Sequence, residues 1–202
     1  MERANQWHHE VLEQLEQSAE VMRHLASEGS EAILAAADLL AARVRAGGKV
    51  LLCGNGGSAA DCQHMAAELV GRLSKALDRP AIPALALTTD TSFLTAFAND
   101  FGFEGVFARQ VQALGKPGDI LVGISTSGHS ANVVRAVEQA HRSGIHTVGL
   151  LGNDGGILAP LVDVRIVVPG PNTQRIQEGM LAVEHILCYL VERYLFQEGR
   201  HP

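Results

Sequence analysis

The pattern of apolar and polar residues predicts a helical N-terminal region. Apolar residues recur at helical spacing from Val11 to Ala26, with glutamate and glutamine on the other faces of the cylinder. This pattern predicts a helix over 5–27 and, after a break at residues 29–30, a second helix over 31–45. The two helices carry more apolar surface than one small domain needs, so we expect them to pack between subunits.

After Gly48 the pattern changes to short apolar runs that alternate with helical stretches. Strands are predicted at 49–54, 82–88, 119–125, 146–151 and 163–168. Helices are predicted at 57–73, 91–98, 104–114, 130–143 and 174–196. Near-continuous apolar strands are typical of a parallel sheet that is covered on both faces. The expected fold is a doubly wound α/β domain, a five-stranded parallel sheet flanked by helices, with an N-terminal helical extension.

Composition narrows the class of protein. The 202 residues are 47% hydrophobic and 19% charged, which predicts a single globular domain over 1–202, with residues 1–46 as its helical extension. The net charge of −6 argues against a nucleic-acid partner. The polar N-terminus and the lack of a long apolar run predict no membrane partner. Cys53, Cys62 and Cys188 lie in apolar stretches without metal-finger spacing, which predicts reduced thiols in a cytoplasmic protein.

Two turns rich in glycine and serine carry the candidate chemistry. One runs from Gly54 to Ser58 and the other from Ser125 to Ser130, and each follows a predicted strand and opens a predicted helix. Glycine lets a ligand approach the backbone, hydroxyls donate to anionic oxygens, and the free amides of the helix start complete an anion site. Because parallel strands end at one edge of the sheet, the two turns predict a phosphorylated ligand there.

Each turn is also compatible with a different role. The first fits the loose GxGxxA form of the dinucleotide fingerprint, but the acidic residue expected about 20 positions later is missing, since the next strand ends near Asp90. It would also suit a tight turn required only by packing. Single serines are common helix caps, although four hydroxyl residues within the six positions of the second turn exceed what capping needs.

Three residues are candidates for acid–base work. His64 and Glu68 lie four residues apart, on one face of the helix that begins at the first turn. Such a pair is ordinarily part of a solvated helix surface, but its helix also forms the predicted phosphate turn. His185 lies in the apolar segment 181–195, where a histidine is usually packed in the core.

Taken together, these segments resemble the phosphoheptose isomerases, a family in the sugar isomerase (SIS) domain superfamily. The resemblance spans nearly the whole chain. It is carried by Cys53–Ser58, His64 with Glu68, Asn99–Gly102, Gly123–Gly128, and Arg175–Glu178 with His185. Two positions depart from the family pattern, because Gln174 replaces an aspartate and Met180 replaces a frequent histidine.

The resemblance implies an aldose–ketose isomerase that converts sedoheptulose 7-phosphate to glycero-manno-heptose 7-phosphate through an enediol(ate). This would be the first step toward the ADP- or GDP-heptose precursors of lipopolysaccharide or other surface glycans. It further implies a homotetramer with active sites at subunit interfaces and one zinc ion per subunit.

The resemblance also assigns roles by position. The catalytic pair would be Glu68 and His185, and the zinc ligands would be His64, Glu68, Gln177 and His185. Contacts to the sugar phosphate would come from Asn55, Gly56, Gly57, Ser58, Glu68, Arg72, Asn99, Asp100, Ser125, Thr126, Ser127, Ser130 and Gln177.

The assigned roles leave alternatives open. A carboxylate bound to zinc is a weaker base, so either Glu68 leaves the metal during turnover or the metal is mainly structural. Gln177 and His185 would lie about 12 Å apart along one continuous helix, a long span for one ion unless the helix start is irregular or two subunits share the site. The same superfamily includes a non-enzymatic protein that binds the bacterial replication initiator. A sugar-phosphate sensor would keep the serine turn and dispense with Glu68.

Overall fold

Five strands form one all-parallel sheet in a computed structural model that describes residues 2–197, and the side chains from residue 6 onward. The strands are β1 (Val50–Gly54), β2 (Ala84–Ala86), β3 (Ile120–Ser125), β4 (His146–Gly152) and β5 (Val164–Val168). Their order in the sheet is β2-β1-β3-β4-β5. This arrangement confirms the predicted fold class.

Seven α-helices surround the sheet within the described residues. They are α1 (Glu2–His24), α2 (Ser30–Arg45), α3 (Gly57–Val70), α4 (Thr91–Phe101), α5 (Val106–Leu114), α6 (Ala131–Arg142) and α7 (Thr173–Phe196). None of the helices in the described part of the chain is long and apolar enough to cross a membrane.

The sheet separates two hydrophobic cores because successive residues of a strand point to opposite faces. In β1, Leu52 packs into a core shared with α2, α3 and α7, and Leu51 packs into a second core shared with α5 and α6. Both leucines are fully buried. This two-sided burial explains why the strands are almost continuously apolar.

The predicted break at residues 29–30 is wrong. Leu25–Gly29 form a π-helical turn that joins α1 directly to α2, and Gly29 keeps a right-handed helical conformation with φ −88° and ψ −17°. Val21 and Leu25 are buried in the core, close to Gly179 of α7. Their burial against α7 outweighs the weak helix-breaking preference of one glycine.

Other boundaries differ from the predicted ones for local reasons. β2 begins later than predicted because Pro83 lacks the amide that a strand ladder needs. α3 ends at Val70, where Gly71 closes the helix, so the predicted end at residue 73 is wrong and Arg72 lies in the following loop.

Candidate active site

The strand register places the two turns side by side. Gly54 at the end of β1 is paired with Ile124 near the end of β3, so the chain enters both turns at the same edge of the sheet. A reciprocal amide pair joins them: Asn55 Nδ2 donates to Asn132 Oδ1 (2.9 Å), and Asn132 Nδ2 donates to Asn55 Oδ1 (2.8 Å). Since Asn132 lies in the first turn of α6, this pair fixes the position of one turn relative to the other.

The serine turn, Ser125–Ser130, is organised by its own hydroxyl groups. Ser125 Oγ accepts the amide of Gly128 (3.1 Å) and lies 2.9 Å from Ser130 Oγ, while Ser127 Oγ accepts the amide of His129 (3.1 Å). Ser125 is buried and Ser127 is exposed, so the turn has an internal anchor and an outward hydroxyl. Hydroxyl groups and helix-start amides in this arrangement suit an anion.

The start of α7 lies against the first turn. The Gln177 amide sits so close to Gly57 that a Cβ at this position would overlap it. Gln177 Nε2 donates to Asp61 Oδ2 (3.0 Å), which ties α7 to the N-terminal half of α3. Only glycine at position 57 therefore leaves room for this contact.

Three of the candidate acid–base and metal residues meet between α3 and α7. The Nε2 atoms of His64 and His185 are 2.9 Å apart, and His64 Nε2 is 3.9 Å from Glu68 Oε1. His185 is exposed toward His64, so it is not the core histidine that its apolar neighbours suggested. Glu68 Oε2 is buried and has no hydrogen-bond partner among the described residues. A buried carboxylate oxygen without a donor is free to take a proton or bind a cation.

The donor types at this cluster suit zinc, which prefers imidazole nitrogen and carboxylate oxygen. Gln177 lies two helical turns from His185 on the continuous helix α7, and its amide is bonded to Asp61. Because α7 is helical from Thr173 onward, no irregular helix start brings Gln177 to the histidines within the described chain. Within the described residues, no three imidazole, thiol or carboxylate groups come close enough to form a complete metal cage.

A buried ion pair holds the end of α3, the helix that carries His64 and Glu68. Arg79 Nη2 lies 2.7 Å from Glu192 Oε1 of α7, and the side chains are 0% and 4% exposed. The same guanidinium donates to the backbone carbonyls of Glu68 (2.8 Å) and Leu69 (2.9 Å). Because these carbonyls lie at the unsatisfied C-terminal end of a helix, Arg79 both caps the helix and fixes the backbone at Glu68.

Two buried acids lie behind the site. Burial raises the pKa of Glu184 to about 8, and the nearby charge of Asp61 adds to the rise. Burial likewise raises the pKa of Asp61, against the opposing effects of the Gln177 hydrogen bond and of His64. At neutral pH the Glu184 carboxyl is mostly protonated, so it adds little negative charge beside the histidine–carboxylate cluster.

The remaining predicted site residues lie apart from these groups. Asn99 Nδ2 donates to Asp100 Oδ1 (2.9 Å) at the exposed end of α4, and neither side chain bonds to the two turns within the described part of the chain. Arg72 is exposed in the loop after α3. Of the two positions that depart from the family pattern, Met180 is fully buried in the core and Gln174 is exposed.

Sequence reasoning missed several residues that shape the site. Asn132, Arg79 and Glu192 act through partners more than 70 residues away, and no local pattern predicts such pairs. Asp61 had a weak signal, since it is an acidic residue at the alanine-rich start of α3, where a solvated position is the ordinary expectation. The structure instead buries it against Gln177.

Comparison with known proteins places the chain in a family. A family model described as "SIS domain" matches residues 13–152. The phosphoheptose isomerase of Geotalea daltonii is 52% identical over 191 residues, which cover 95% of this chain and 98% of the relative.

Solved structures agree with the sequence comparison. The phosphoheptose isomerase of Neisseria gonorrhoeae superposes with a TM-score of 0.86 at 44% identity, covering 92% of this chain and 98% of the other. That of Francisella tularensis gives a TM-score of 0.87 at 37% identity, over 91% and 97% of the two chains. The chain therefore belongs to the SIS domain family and, within it, to the phosphoheptose isomerases.

Proposed function

We propose that the protein is an aldose–ketose isomerase that converts sedoheptulose 7-phosphate to glycero-manno-heptose 7-phosphate. One observation carries the proposal: His64 and Glu68 of α3, the helix that begins at the first glycine turn, meet His185 of α7, so that two imidazoles and a carboxylate with a free oxygen lie together. That turn is joined to the serine turn by the Asn55–Asn132 pair, so acid–base groups and an anion site share one edge of the sheet. The relatives named phosphoheptose isomerase match nearly the whole chain.

The chemistry requires a proton to move between C1 and C2 of the sugar and another between the two oxygens. Glu68 is the base at carbon, because its Oε2 is held in a largely buried position without a competing donor among the described residues. His185 serves as the acid and base at oxygen, since its imidazole faces the same space and pairs with His64. The substrate passes through an enediol(ate), which these two groups form and collapse.

The serine turn holds the phosphate in this proposal. Ser127 offers an outward hydroxyl, and the start of α6 directs its amides and its positive dipole end toward the same place. Asn55, Gly56, Gly57 and Ser58 line the neighbouring turn, where the sugar chain would extend toward Glu68. Fixing the phosphate far from the reacting carbons orients C1 and C2 for proton transfer.

Zinc is part of the proposal, with His64, Glu68, Gln177 and His185 as the residues that would hold it; among the described residues of one chain these side chains do not already form a cage, so they would have to draw together around the ion. When bound, zinc polarises the substrate carbonyl or orients the side chains around it. Gln177 is the fourth ligand expected from the family; in the single chain its amide donates to Asp61 and lies against Gly57 of the first turn. Whatever the metal does, Glu68 must keep one oxygen available to accept the proton.

We also propose that the protein is a homotetramer with shared active sites. The outer face of α1 exposes apolar side chains that one chain leaves uncovered, namely Trp7, Val11, Leu12 and Leu15. A groove of about 250 Å³ between α1, α2 and α7 is lined by Met22, Leu25, Ile33 and Ile186, among others. Asn99 and Asp100 face solvent in the single chain, where a second copy could use them. A stable monomer in light scattering at micromolar concentration would contradict this assembly.

The proposed setting is the cytoplasm, where the product would supply heptose precursors for surface glycans. The facing pair of His64 and His185, together with Glu68, favours an enzyme over the non-enzymatic member that binds a replication initiator. A sensor would have no need of Glu68 at this position. We assign no nucleic-acid partner to the chain, whose net charge is −6.

The test is to incubate the purified protein with sedoheptulose 7-phosphate and follow the appearance of the aldose. Glu68→Gln keeps the side-chain shape but cannot take a proton, so turnover should fall by about 10²–10⁴-fold, and exchange of the C1 or C2 proton with deuterium should vanish. The exposed Glu138→Gln of α6 is the matched control and should behave as wild type. No aldose from the wild type, or near-normal turnover in Glu68→Gln, would contradict the proposal.

A further inference from the structure

The loop that follows β4 packs against the back of the serine turn. We call this loop, residues 152–158, the brace. The α-carbon of Gly152 lies so close to the Thr126 carbonyl oxygen that a Cβ there would overlap it. Gly128 of the serine turn approaches Gly155 and Gly156 just as closely. Nothing but backbone therefore fits between the two segments at these positions.

The brace also binds the carbonyl groups of the serine turn. Asn153 Nδ2 donates to the Thr126 carbonyl (3.3 Å), and the Leu158 amide donates to the Gly128 carbonyl (3.1 Å). Each carbonyl carries a partial negative charge that would repel a phosphate. Because both carbonyls point into the brace, the anion side of the turn is left to hydroxyl groups and amides.

The brace has a defined shape of its own. Asn153 adopts φ +58°, a left-handed conformation that asparagine tolerates better than most residues. Asp154 Oδ1 accepts the Gly156 amide (3.0 Å), and the Ala159 amide bonds to the Gly155 carbonyl (3.1 Å). These contacts let the brace act as a rigid support rather than a loose loop.

We propose that the brace positions the serine turn for phosphate, with Asn153 and Gly156 as its positioning residues. In this proposal both residues act on the turn through Thr126, Gly128 or His129 rather than on the substrate. The inference rests on the proposed function in one respect, that the serine turn holds the phosphate. It adds that the geometry of this anion site is set by a segment 22 or more residues further along the chain.

Gly156→Ala tests the brace by steric pressure. At φ +54°, an added Cβ would lie 2.5 Å from the His129 ring and 2.6 Å from the Gly128 carbonyl oxygen, so the turn must shift. Gly118→Ala is the matched control, because Gly118 has φ +90° with nothing within 4 Å of an added Cβ. Both variants strain the backbone at a left-handed position, but only one pushes on the serine turn.

The measurement is the dissociation constant for inorganic phosphate, obtained by calorimetry. Displacing the turn misaligns at least one hydrogen bond to a charged oxygen, so Gly156→Ala should bind phosphate about tenfold more weakly, or worse. Gly118→Ala should keep a phosphate dissociation constant within about twofold of wild type, even if its melting temperature falls as far as that of Gly156→Ala. In turnover with sedoheptulose 7-phosphate, Gly156→Ala should raise KM far more than it lowers kcat.

Asn153→Gly decides the question if Gly156→Ala does not fold. Glycine keeps the left-handed conformation and removes only the amide that holds Thr126, so phosphate binding should weaken by about threefold or more. Phosphate affinity equal to wild type in Asn153→Gly, or equal losses in Gly156→Ala and Gly118→Ala, would overturn the proposal. Phosphate binding is measured without turnover, so a protein that binds phosphate through the brace yet makes no aldose would refute only the proposed function.

Discussion

Replacing Glu192 by glutamine tests how far the active-site helix α3 depends on its buried ion pair. Glu192→Gln removes one charge and keeps the shape of the side chain. Glu192 Oε1 accepts the Leu73 amide (3.0 Å) and the Nε atom of Arg79 (2.8 Å). Since the Arg79 side chain is completely buried, the substitution leaves a positive charge without its partner in the interior.

The expected loss of stability follows from the remaining contacts. Removing one partner of a buried ion pair costs about 3–5 kcal/mol. After Glu192→Gln, the guanidinium still donates to the carbonyls of Glu68, Leu69 and Pro80, which compensate part of its burial. We therefore expect a loss near the lower end, about 3 kcal/mol. Arg79→Met also removes the helix cap and should cost more, about 4–5 kcal/mol.

The assay is urea unfolding followed by circular dichroism at a fixed protein concentration, because assembly makes the stability depend on concentration. The double variant Arg79→Met with Glu192→Leu restores a neutral interior. It should be more stable than Glu192→Gln and than Arg79→Met. The exposed Glu138→Gln is the control and should unfold like wild type. Two results would refute this reasoning. One is a loss below about 1 kcal/mol for Glu192→Gln; the other is an Arg79→Met variant that is as stable as Glu192→Gln, or more stable.

Three further substitutions give separate tests. Burial acts to raise the pKa of Asp119, but hydrogen bonds from the Lys49 side chain and from the amides of Lys49 and Lys116 lower it overall. The ionised carboxylate therefore stabilises the fold at pH values above the ordinary pKa of aspartate, and this stabilisation is lost as the pH falls through the lowered pKa. Asp119→Asn should lower the free energy of unfolding by about 1–3 kcal/mol at neutral pH. Urea unfolding curves in acid should show the difference between wild type and Asp119→Asn shrinking. Ser125→Ala should weaken phosphate binding by about 1–3 kcal/mol in calorimetry, whereas a dephosphorylated heptulose that bound wild type as well as the phosphate would contradict the anion site. Met180→Ala opens a cavity in a fully buried position and should lower the free energy of unfolding by about 2–5 kcal/mol; a thermal melt unchanged from wild type would show that the core repacks freely.

Much of the sheet follows from the sequence because burial leaves a direct signal. β1, β3 and β4 lie within one or two residues of their predicted ends, since each is an apolar run covered on both faces. The prediction for β2 is the least accurate, because Pro83 interrupts the ladder within an otherwise apolar run. The helix break at Gly29 failed for a different reason: local preference predicted it, and packing against α7 overrides local preference.

The site shows the same division between local and long-range information. Both turns stand out in the sequence because glycine and hydroxyl residues cluster after a strand. The facing of His64 and His185 joins residues 121 positions apart, so the sequence suggests it only through resemblance to a family. The supports behind the site have no local signal of their role: Asn132 and Glu192 lie in ordinary helical sequence, and the glycine-rich neighbours of Asn153 predict only a turn, not its contact with Thr126.

The reciprocal amide pair has a consequence for how the protein ages. Asn55 is followed by Gly56, and an asparagine before glycine is prone to deamidation, because little hinders the next amide nitrogen from attacking the side-chain carbonyl. In the fold, both polar atoms of the Asn55 amide are engaged by Asn132, which holds the side chain away from that attack. Conversion to aspartate would replace a donor with an oxygen facing Asn132 Oδ1 and add a negative charge beside the phosphate turn. Asn132→Ala should therefore lose phosphate binding faster than wild type during storage. Mass spectrometry of the peptide that contains Asn55 should show deamidation at the same rate as that loss.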